Sequence, residues 1–421
     1  MLLSSKLAHF PLRIILTFLI VSELLIWLGP INYDISNSFI LFLYLAILNL
    51  AFYMGYKHAV RNFRPSSYKL SGRSIKLLLL FGLFYAFLEL IDLWGTRGLS
   101  VSNLLTNVID ALNNPGEAYY SEGDMEQNSY LTIILSPIKW IVIPLGIYSW
   151  DKLSKIYRYI ALAIIVISAI SWLGIGVRKG IFDLMVTILF IVLALKPQFI
   201  LLAKWRRRIT LYLGVSIIIF IVYFIYSNLS RAGFDSFDAL VLMSTLDYRP
   251  FYLEFIPLPI TTAIAFVTSY LCQGYYALAL SLEIGILPLA PMGMSWFTIA
   301  LAKKFDYDPT SDTYMHLLES NHNIDMSINW HSIYVWLAND FSFLGVPIVI
   351  YFVGYFLAQT WCDSVVGKNV WAFPIMTLFV IMSMYFFANN QVLSFSFIPL
   401  IVCFCIYQMS RSLRSGFSMK H

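Results

Sequence analysis

Charged residues are scarce in this chain. Only 12% of the 421 residues are Asp, Glu, Lys or Arg, whereas hydrophobic residues make up 59%. Soluble domains carry about 25% charged residues, so this composition excludes an ordinary soluble protein. Apolar runs long enough to cross a bilayer as helices recur to the end of the sequence. The sequence therefore predicts an all-α polytopic membrane protein that forms a single integral membrane domain over residues 1–421.

Cysteine and nucleotide-binding motifs are also sparse. The sequence contains no glycine-rich phosphate loop and no dinucleotide fingerprint. The net charge of +5 is not gathered into one patch, so we expect no nucleic-acid partner. No small-residue cleavage site follows the first apolar run, which predicts a retained helix rather than a signal peptide. The cysteines fit no metal or disulfide spacing, and we interpret them as apolar filler: Cys272, Cys362, Cys403 and Cys405.

Ten apolar runs predict membrane-spanning helices. They cover residues 14–28, 39–56, 75–94, 131–150, 159–177, 181–195, 209–226, 343–358, 372–387 and 392–408. The region 260–302 is apolar but is broken by Gly, Pro, Gln273 and Glu283. It predicts either two further spans or a re-entrant pair, so the expected total is 10–12 transmembrane helices.

The basic residues predict the orientation of the chain. Roughly 20 of the 28 Lys and Arg residues fall in alternate connections and at the two chain ends, which we therefore place in the cytoplasm. Two long polar segments, 95–130 and 227–340, fall on the other side. Because the polar residues are concentrated outside rather than along a path through the membrane, we expect chemistry or binding on that face.

Arg178 and Lys179 stand between two apolar runs, at the predicted outer surface. A cationic pair that opens a helix is suited to binding phosphate, and an arginine can bind phosphate oxygens with two donors. Lys179 and Asp183 are four residues apart and can form an ion pair on one helix face. The competing interpretation is that both cations extend to lipid headgroups and serve only as interfacial anchors.

Other external arginines are rare, so Arg231 and Arg249 are further candidates for binding a phosphate. An ordinary salt bridge within a loop is the alternative for each. Lys139 lies inside the fourth predicted span, where a cation needs a partner. We expect it to form a structural ion pair with Glu89 or Asp92.

Candidates for acid–base chemistry and for sugar contacts occur in two stretches, 330–345 and 273–283. Asp340, His331 and Glu283 compete as the general base. Trp336 and Asp340 share a face at helical spacing. The aromatic candidates for an acceptor or sugar, which alternatively form an interfacial belt, are Tyr275, Tyr276, Tyr334 and Trp336. The histidines lack zinc-site spacing, and we expect no metal at Asp306–Asp308.

The layout and three motifs together resemble a known family. The motifs are the turn at Arg178, the Gln-Gly-Tyr-Tyr stretch at 273–276 and the Trp-Leu-Ala-Asn-Asp-Phe-Ser-Phe-Leu-Gly run at 336–345. With many spans, cytoplasmic ends and a large external segment in the second half, the chain resembles the bacterial Wzy-type O-antigen or oligosaccharide-repeat-unit polymerases. The O-antigen ligases share this layout.

The resemblance implies an inverting, metal-independent glycosyltransferase with a GT-C-like fold and no cofactor. It would sit in the bacterial inner membrane with its active site facing the periplasm. The donor would be a growing glycan on undecaprenyl diphosphate. The acceptor would be the terminal sugar, at the non-reducing end, of an incoming repeat unit on the same lipid. A chain-length regulator protein is an implied partner.

The resemblance also implies residue roles. Arg178, Lys179, Arg231 and Arg249 would hold the diphosphate, while Asp340, His331 or Glu283 would take the proton of the acceptor hydroxyl. Three other functions stay open: an O-antigen ligase, a repeat-unit flippase or transporter, and a non-catalytic partner of a polysaccharide assembly complex. A transporter would place polar residues along a central path and often has related halves, neither of which is evident in this sequence.

Overall fold

A computed structural model shows how the chain folds. It describes residues 4–95, 98–99, 101–113, 130–175, 177–205, 207–208, 211, 214–215, 218, 221–223, 255, 258–325 and 329–415. These residues form helices and contain no β-strand. The helices are α1 (Ser5–Ala8), α2 (Phe10–Leu28), α3 (Ser38–Arg61), α4 (Gly72–Gly95), α5 (Leu104–Asn113), α6 (Tyr130–Leu135), α7 (Pro137–Tyr148), α8 (Lys155–Gly174), α9 (Lys179–Leu195), α10 (Gln198–Leu201), α11 (Leu258–Ile284), α12 (Trp296–Lys303), α13 (Tyr314–His322), α14 (Ile333–Cys362), α15 (Ala372–Met384), α16 (Gln391–Phe395) and α17 (Phe397–Ser415).

Six helical segments of the described chain are long and apolar enough to cross a membrane, as expected of an α-helical polytopic protein. They are Phe10–Leu28, Ser38–Arg61, Gly72–Gly95, Leu131–Tyr148, Lys155–Gly174 and Ile333–Gly367. Each coincides with a run predicted to span. Helices α9, α15 and α17 lie on three further predicted spans and have 17, 13 and 19 residues respectively. They are not among the six segments that are long and apolar enough to cross a membrane. The predicted span 209–226 lies largely outside the described residues.

The region 260–302 differs from both forms that the sequence predicted. Instead of two spans or a re-entrant pair, the helix α11 runs without interruption through Gln273 and Gly274 to Ile284. Gly274 does not break the helix, because the absence of a side chain allows close packing against another segment. A Cβ at this position would overlap the carbonyl oxygen of Phe387. The short helix α12 follows after a loop and begins with a capping box in which Ser295 and Thr298 bond reciprocally.

Helix α14 has two parts. Ser342 interrupts it with φ 57° and ψ 159°, so the helix axis breaks between Phe341 and Phe343. The second part packs along α3 with the backbones in contact. A Cβ at Gly55 would overlap Tyr351, and one at Gly354 would overlap Phe52. Small residues that let two apolar helices approach this closely are typical of membrane helix pairs.

A buried polar network joins three distant parts of the chain, and we call it the Asp363 cluster: Ser66, Asp363, Asn369, Tyr407 and Arg411. Asp363 follows α14 and is completely buried. Its carboxylate accepts hydrogen bonds from the Ser66 amide (2.8 Å), the Ser66 hydroxyl (2.9 Å) and the Tyr407 hydroxyl (2.6 Å), and it pairs with Arg411. The cluster therefore ties the α3–α4 connection to the ends of α14 and α17.

Candidate functional site

Arg178 lies between two apolar helices at the N-terminus of α9. Its exposed fraction is only 7%, although it carries a full positive charge. The turn between Gly174 and Lys179 brings it there, with Val177 closing the turn through a bond to the Trp172 carbonyl (3.1 Å). The first backbone amides of α9 point toward the same end of the helix, so the local potential is positive. Such a position is suited to an anionic group.

Lys179 forms the ion pair that its spacing predicts. Its Nζ lies 2.5 Å from Oδ2 of Asp183, and both side chains are largely buried. The same Nζ lies 5.6 Å from the centre of the Tyr385 ring and 5.8 Å from that of Phe395. Lys179 is therefore held between α9 and the two ends of the segment 385–395, which includes α16 and connects α15 to α17.

A second ion pair lies beside the first turn of α9. Lys139 Nζ is 2.8 Å from Glu89 Oε1, so the predicted pair with Glu89 is confirmed. Lys139 also lies 5.3 Å from the centre of the Trp172 ring. That ring covers Gly180 so closely that a Cβ there would overlap it. The two ion pairs thus lie on either side of the α8–α9 turn, and we call them, with Arg178, the Arg178 cluster: Glu89, Lys139, Arg178, Lys179 and Asp183.

A second group of polar side chains surrounds the start of α14, and we call it the Ser332 cluster: His331, Ser332, Trp336, Asp340, Asn390 and Gln391. Ser332, Trp336 and Asp340 follow one another at intervals of four residues, so they line one face of the first part of α14. Trp336 packs against Trp296 with ring centres 5.5 Å apart. Asp340 accepts a bond from the Met292 amide (2.7 Å). The segment 292–296 therefore faces this side of the helix.

The remaining members of the Ser332 cluster are held against the same surface. The amide of His331 donates to the side chain of Asn389 (2.8 Å), and the imidazole contacts the Asn329 carbonyl through Nδ1 (3.2 Å). Asn390 donates to the Met294 carbonyl (2.7 Å). Burial lowers the pKa of His331 to about 4, so its imidazole is neutral at pH 7. A neutral imidazole is able to accept a proton.

The other predicted site residues lie apart from this cluster or deeper in the bundle. Tyr275 is fully buried and shares a hydrogen bond with Ser22 (3.0 Å). Tyr334 is also buried, with its ring 5.7 Å from that of Phe386. Tyr276 is half-buried against Tyr33. Glu283 is exposed at the end of α11, where it accepts a bond from Ser36.

The structure thus places His331, Trp336 and Asp340 along the first part of α14 and Arg178 with Lys179 at the start of α9. Arg231 and Arg249 lie outside the described residues, so their predicted roles stay predictions. Among the residues that the structure does describe, no three His, Cys, Asp or Glu side chains are grouped to hold a metal ion. Three of the four cysteines are buried and all four are free thiols.

Sequence reasoning missed Asn390 and Gln391. A signal was present, because Asn389, Asn390 and Gln391 form a run of three carboxamides between two apolar stretches. In a membrane protein such a run is costly unless its side chains find polar partners. It also missed Glu23, a carboxyl buried in α2 that accepts a bond from Asn49 (2.7 Å).

The two clusters border on the same segment, 385–395. Tyr385 and Phe395 contact Lys179, while Asn390 and Gln391 between them belong to the Ser332 cluster. The backbone of this segment also reaches α14, because the Ile333 amide donates to the Phe386 carbonyl (3.1 Å). Comparison of the chain with protein-family models, with curated proteins and with solved structures finds no match.

Proposed function

We propose that this protein polymerises lipid-linked oligosaccharide repeat units at the outer face of a bacterial inner membrane. It would transfer the growing glycan from undecaprenyl diphosphate to the non-reducing end of an incoming repeat unit. The observation that carries the proposal is the shared segment 385–395. It borders a cationic cluster suited to a diphosphate on one side and candidate proton acceptors on the other.

The Arg178 cluster is suited to the lipid diphosphate. Arg178 and the first amides of α9 supply donors that become more favourable as charge accumulates on the leaving diphosphate. Lys179 is already neutralised by Asp183, so its contribution would be to fix the first turn of α9 and add a weaker positive potential. A leaving group stabilised in this way requires no divalent cation.

In the proposed reaction, an acceptor hydroxyl attacks the anomeric carbon of the donor sugar from the face opposite the diphosphate. The new glycosidic bond forms as the bond between the anomeric carbon and the phosphate oxygen breaks, and that oxygen leaves with the electron pair. The hydroxyl proton passes to a base. His331 bonds Asn389 of the shared segment, and Asp340 bonds Met292, close to the Met294 carbonyl that Asn390 bonds. Glu283 lies at the end of α11, so we favour the first two as candidates.

The test uses the full-length protein in lipid vesicles, supplied with the lipid-linked repeat unit of its own host. We expect the wild type to extend the glycan into a ladder of products. Arg178→Ala should reduce the rate by about 10²–10³-fold, the loss typical of removing a donor that stabilises developing negative charge. Arg158→Ala is the matched control, because Arg158 is a partly exposed arginine near the other end of α8 that donates to the backbone carbonyls of Trp150 and Asp151.

Each outcome decides between the remaining functions. A wild-type product ladder with Arg178→Ala would remove Arg178 from the reaction. Transfer of finished glycan to lipid A core without extension would indicate a ligase. Movement of the repeat unit across the vesicle membrane without new glycosidic bonds would indicate a transporter. In the host, deleting the gene of a polymerase leaves single repeat units on the core, whereas deleting a ligase gene leaves none.

A further inference from the structure

The Ser332 cluster contains polar atoms that are buried but have no hydrogen-bond partner within the described part of the chain. They are His331 Nε2, Ser332 Oγ, Trp336 Nε1, Asp340 Oδ2, Asn390 Oδ1 and Gln391 Oε1. Leaving one such atom unpaired costs about 1–3 kcal/mol, and native proteins contain only a few of them. Six such atoms belong to residues of this cluster, which extends about 12 Å along α14 from Ser332 to Asp340, and the set requires an explanation other than local packing.

Ser332, at the start of α14, also lacks the hydrogen bond that a serine usually makes at such a position. Ser332 occupies the N-cap position of α14, where a serine hydroxyl usually accepts a bond from the helix. Here the side chain makes no capping bond, and the residue is fully buried. Its hydroxyl, the Trp336 indole and the Asp340 carboxylate lie on one helix face, which the segment 292–296 covers.

The chemistry of these atoms restricts what could pair with them. Trp336 Nε1 can only donate, whereas the free oxygens of Asn390 and Gln391 can only accept. The Ser332 hydroxyl can do both. A phosphate could satisfy donors but not the amide oxygens, and the Asp340 carboxylate would repel it. A cation could satisfy the oxygens but not the indole. Sugar hydroxyls both donate and accept, as water does, so a sugar suits donors and acceptors alike along part of this face. The aromatic rings of Trp296 and Trp336 favour a sugar ring over water.

We propose that the Ser332 cluster is a binding site for a neutral sugar residue, distinct from the diphosphate site at Arg178. Its assignment to the glycan part of the substrate rests on the proposed function. Trp336 and Trp296 supply aromatic surface for the sugar ring. The carboxamide oxygens of Asn390 and Gln391 accept hydrogen bonds from its hydroxyls. Because the segment 385–395 also contacts Lys179, the sugar would lie next to the diphosphate to which it is linked.

The test measures binding without turnover. Full-length protein in a detergent that carries no sugar is mixed with methyl glycosides of glucose, galactose, mannose, rhamnose and N-acetylglucosamine at tens of millimolar. Thermal unfolding is followed by tryptophan fluorescence. We expect at least one glycoside to raise the unfolding midpoint of the wild type. Gln391→Met, which keeps the volume and removes the free oxygen, should weaken the apparent affinity about tenfold.

Ser332→Ala provides a second variant in case Gln391→Met does not fold, and it should weaken binding in the same direction. Ser168→Ala is the matched control, since Ser168 is a buried serine on α8, outside the cluster, whose hydroxyl has no hydrogen-bond partner in the described ranges. It should leave glycoside binding unchanged. Inorganic pyrophosphate should bind Gln391→Met as it binds the wild type, because its site is the Arg178 cluster.

The proposal is overturned if no glycoside shifts the wild type, or if binding is the same in Gln391→Met and Ser332→Ala. It is also overturned if Ser168→Ala weakens binding equally, because the effect would then be global. These results are separable from those of the polymerisation assay. Sugar binding without glycan extension would reject the proposed function alone, whereas extension without sugar binding at this cluster would reject the sugar site alone.

Discussion

The Asp363 and Ser332 clusters are both polar, both buried in an apolar bundle, and both built around the carboxylate of an Asp. They differ in how fully their polar atoms are paired. Asp363 receives bonds from Ser66, Tyr407 and Arg411, and Asn369 in turn bonds Ser66 and Ser410. In the Ser332 cluster, one oxygen of Asp340 accepts a bond from the Met292 amide, while its other oxygen has no partner among the described residues.

This difference in pairing distinguishes a cluster that stabilises the fold from one that binds a ligand. A fully paired network in a low dielectric strengthens its own bonds and fixes the segments that it joins. A network left partly unpaired costs stability unless water or a ligand supplies the missing bonds. We therefore infer that the Asp363 cluster holds the bundle together and that the Ser332 cluster receives a ligand. The predictions below test this distinction.

The largest effect is expected at Asp363. Asp363→Ala removes the acceptor for three donors and leaves the Arg411 guanidinium without a counter-charge. Removing one partner of a buried ion pair costs about 3–5 kcal/mol of the free energy of unfolding. Thermal unfolding of the purified protein should show a correspondingly large fall in midpoint.

Asp151→Asn is the control for this substitution, because Asp151 is an exposed aspartate in a short connection. Its effect should stay within about 0.5 kcal/mol. If Asp363→Ala unfolds at the same temperature as this control, the Asp363 cluster does not stabilise the bundle. Full pairing of buried polar atoms would then not identify a structural cluster.

An intermediate effect is expected at His331, and it depends on pH. The pKa of His331 is lowered by burial from 6.5 to about 4, whereas in the unfolded chain it returns to its usual value. The unfolded state therefore binds the proton more readily between these values. The stabilising contribution is complete above pH 6.5 and is lost as the pH falls toward 4. The loss should be about 3 kcal/mol across this window.

His331→Gln removes this titration but keeps a polar side chain. Unfolding midpoints of wild type and variant are compared at pH 7 and at pH 4.5. Between pH 7 and pH 4.5 the unfolding midpoint of the variant should fall less than that of the wild type. Parallel curves would show that folding does not lower the pKa of His331, and burial would then not control its protonation.

The sequence predicted those features that depend on local spacing. The Lys179–Asp183 pair follows from helical periodicity, and Lys139 found Glu89 because a cation within a span requires a nearby acid. The apolar runs likewise predicted six helices of spanning length. Each of these inferences uses residues on one helix or a general cost of burying charge.

Features that depend on the packing of distant segments escaped. Nothing local to Asp363 indicates that Ser66, almost three hundred positions earlier, will bond it. The continuity of α11 could not be predicted either, since Gly274 is unfavourable in a helix interior and the Gln273 amide is costly within an apolar helix unless it is paired. They are accommodated because Gln273 bonds Asn329 (3.1 Å) and Gly274 lets Phe387 approach. For the same reason the sequence indicated only His331, Trp336 and Asp340 among the six residues of the Ser332 cluster.

The smallest effect gives the most direct comparison, because one substitution is made in both clusters. Ser66→Ala deletes a hydroxyl that donates to Asp363 and accepts from Asn369, both at 2.9 Å, and should cost about 1–3 kcal/mol. Ser332→Ala deletes a buried hydroxyl that bonds none of the described residues and does not cap its helix, so the usual penalty for losing an N-cap does not apply. Without ligand, it should raise the free energy of unfolding slightly, by less than about 1 kcal/mol. The two serines should therefore shift thermal unfolding in opposite directions, and a loss of stability at Ser332 comparable to that at Ser66 would show that its hydroxyl is part of the fold rather than reserved for a sugar.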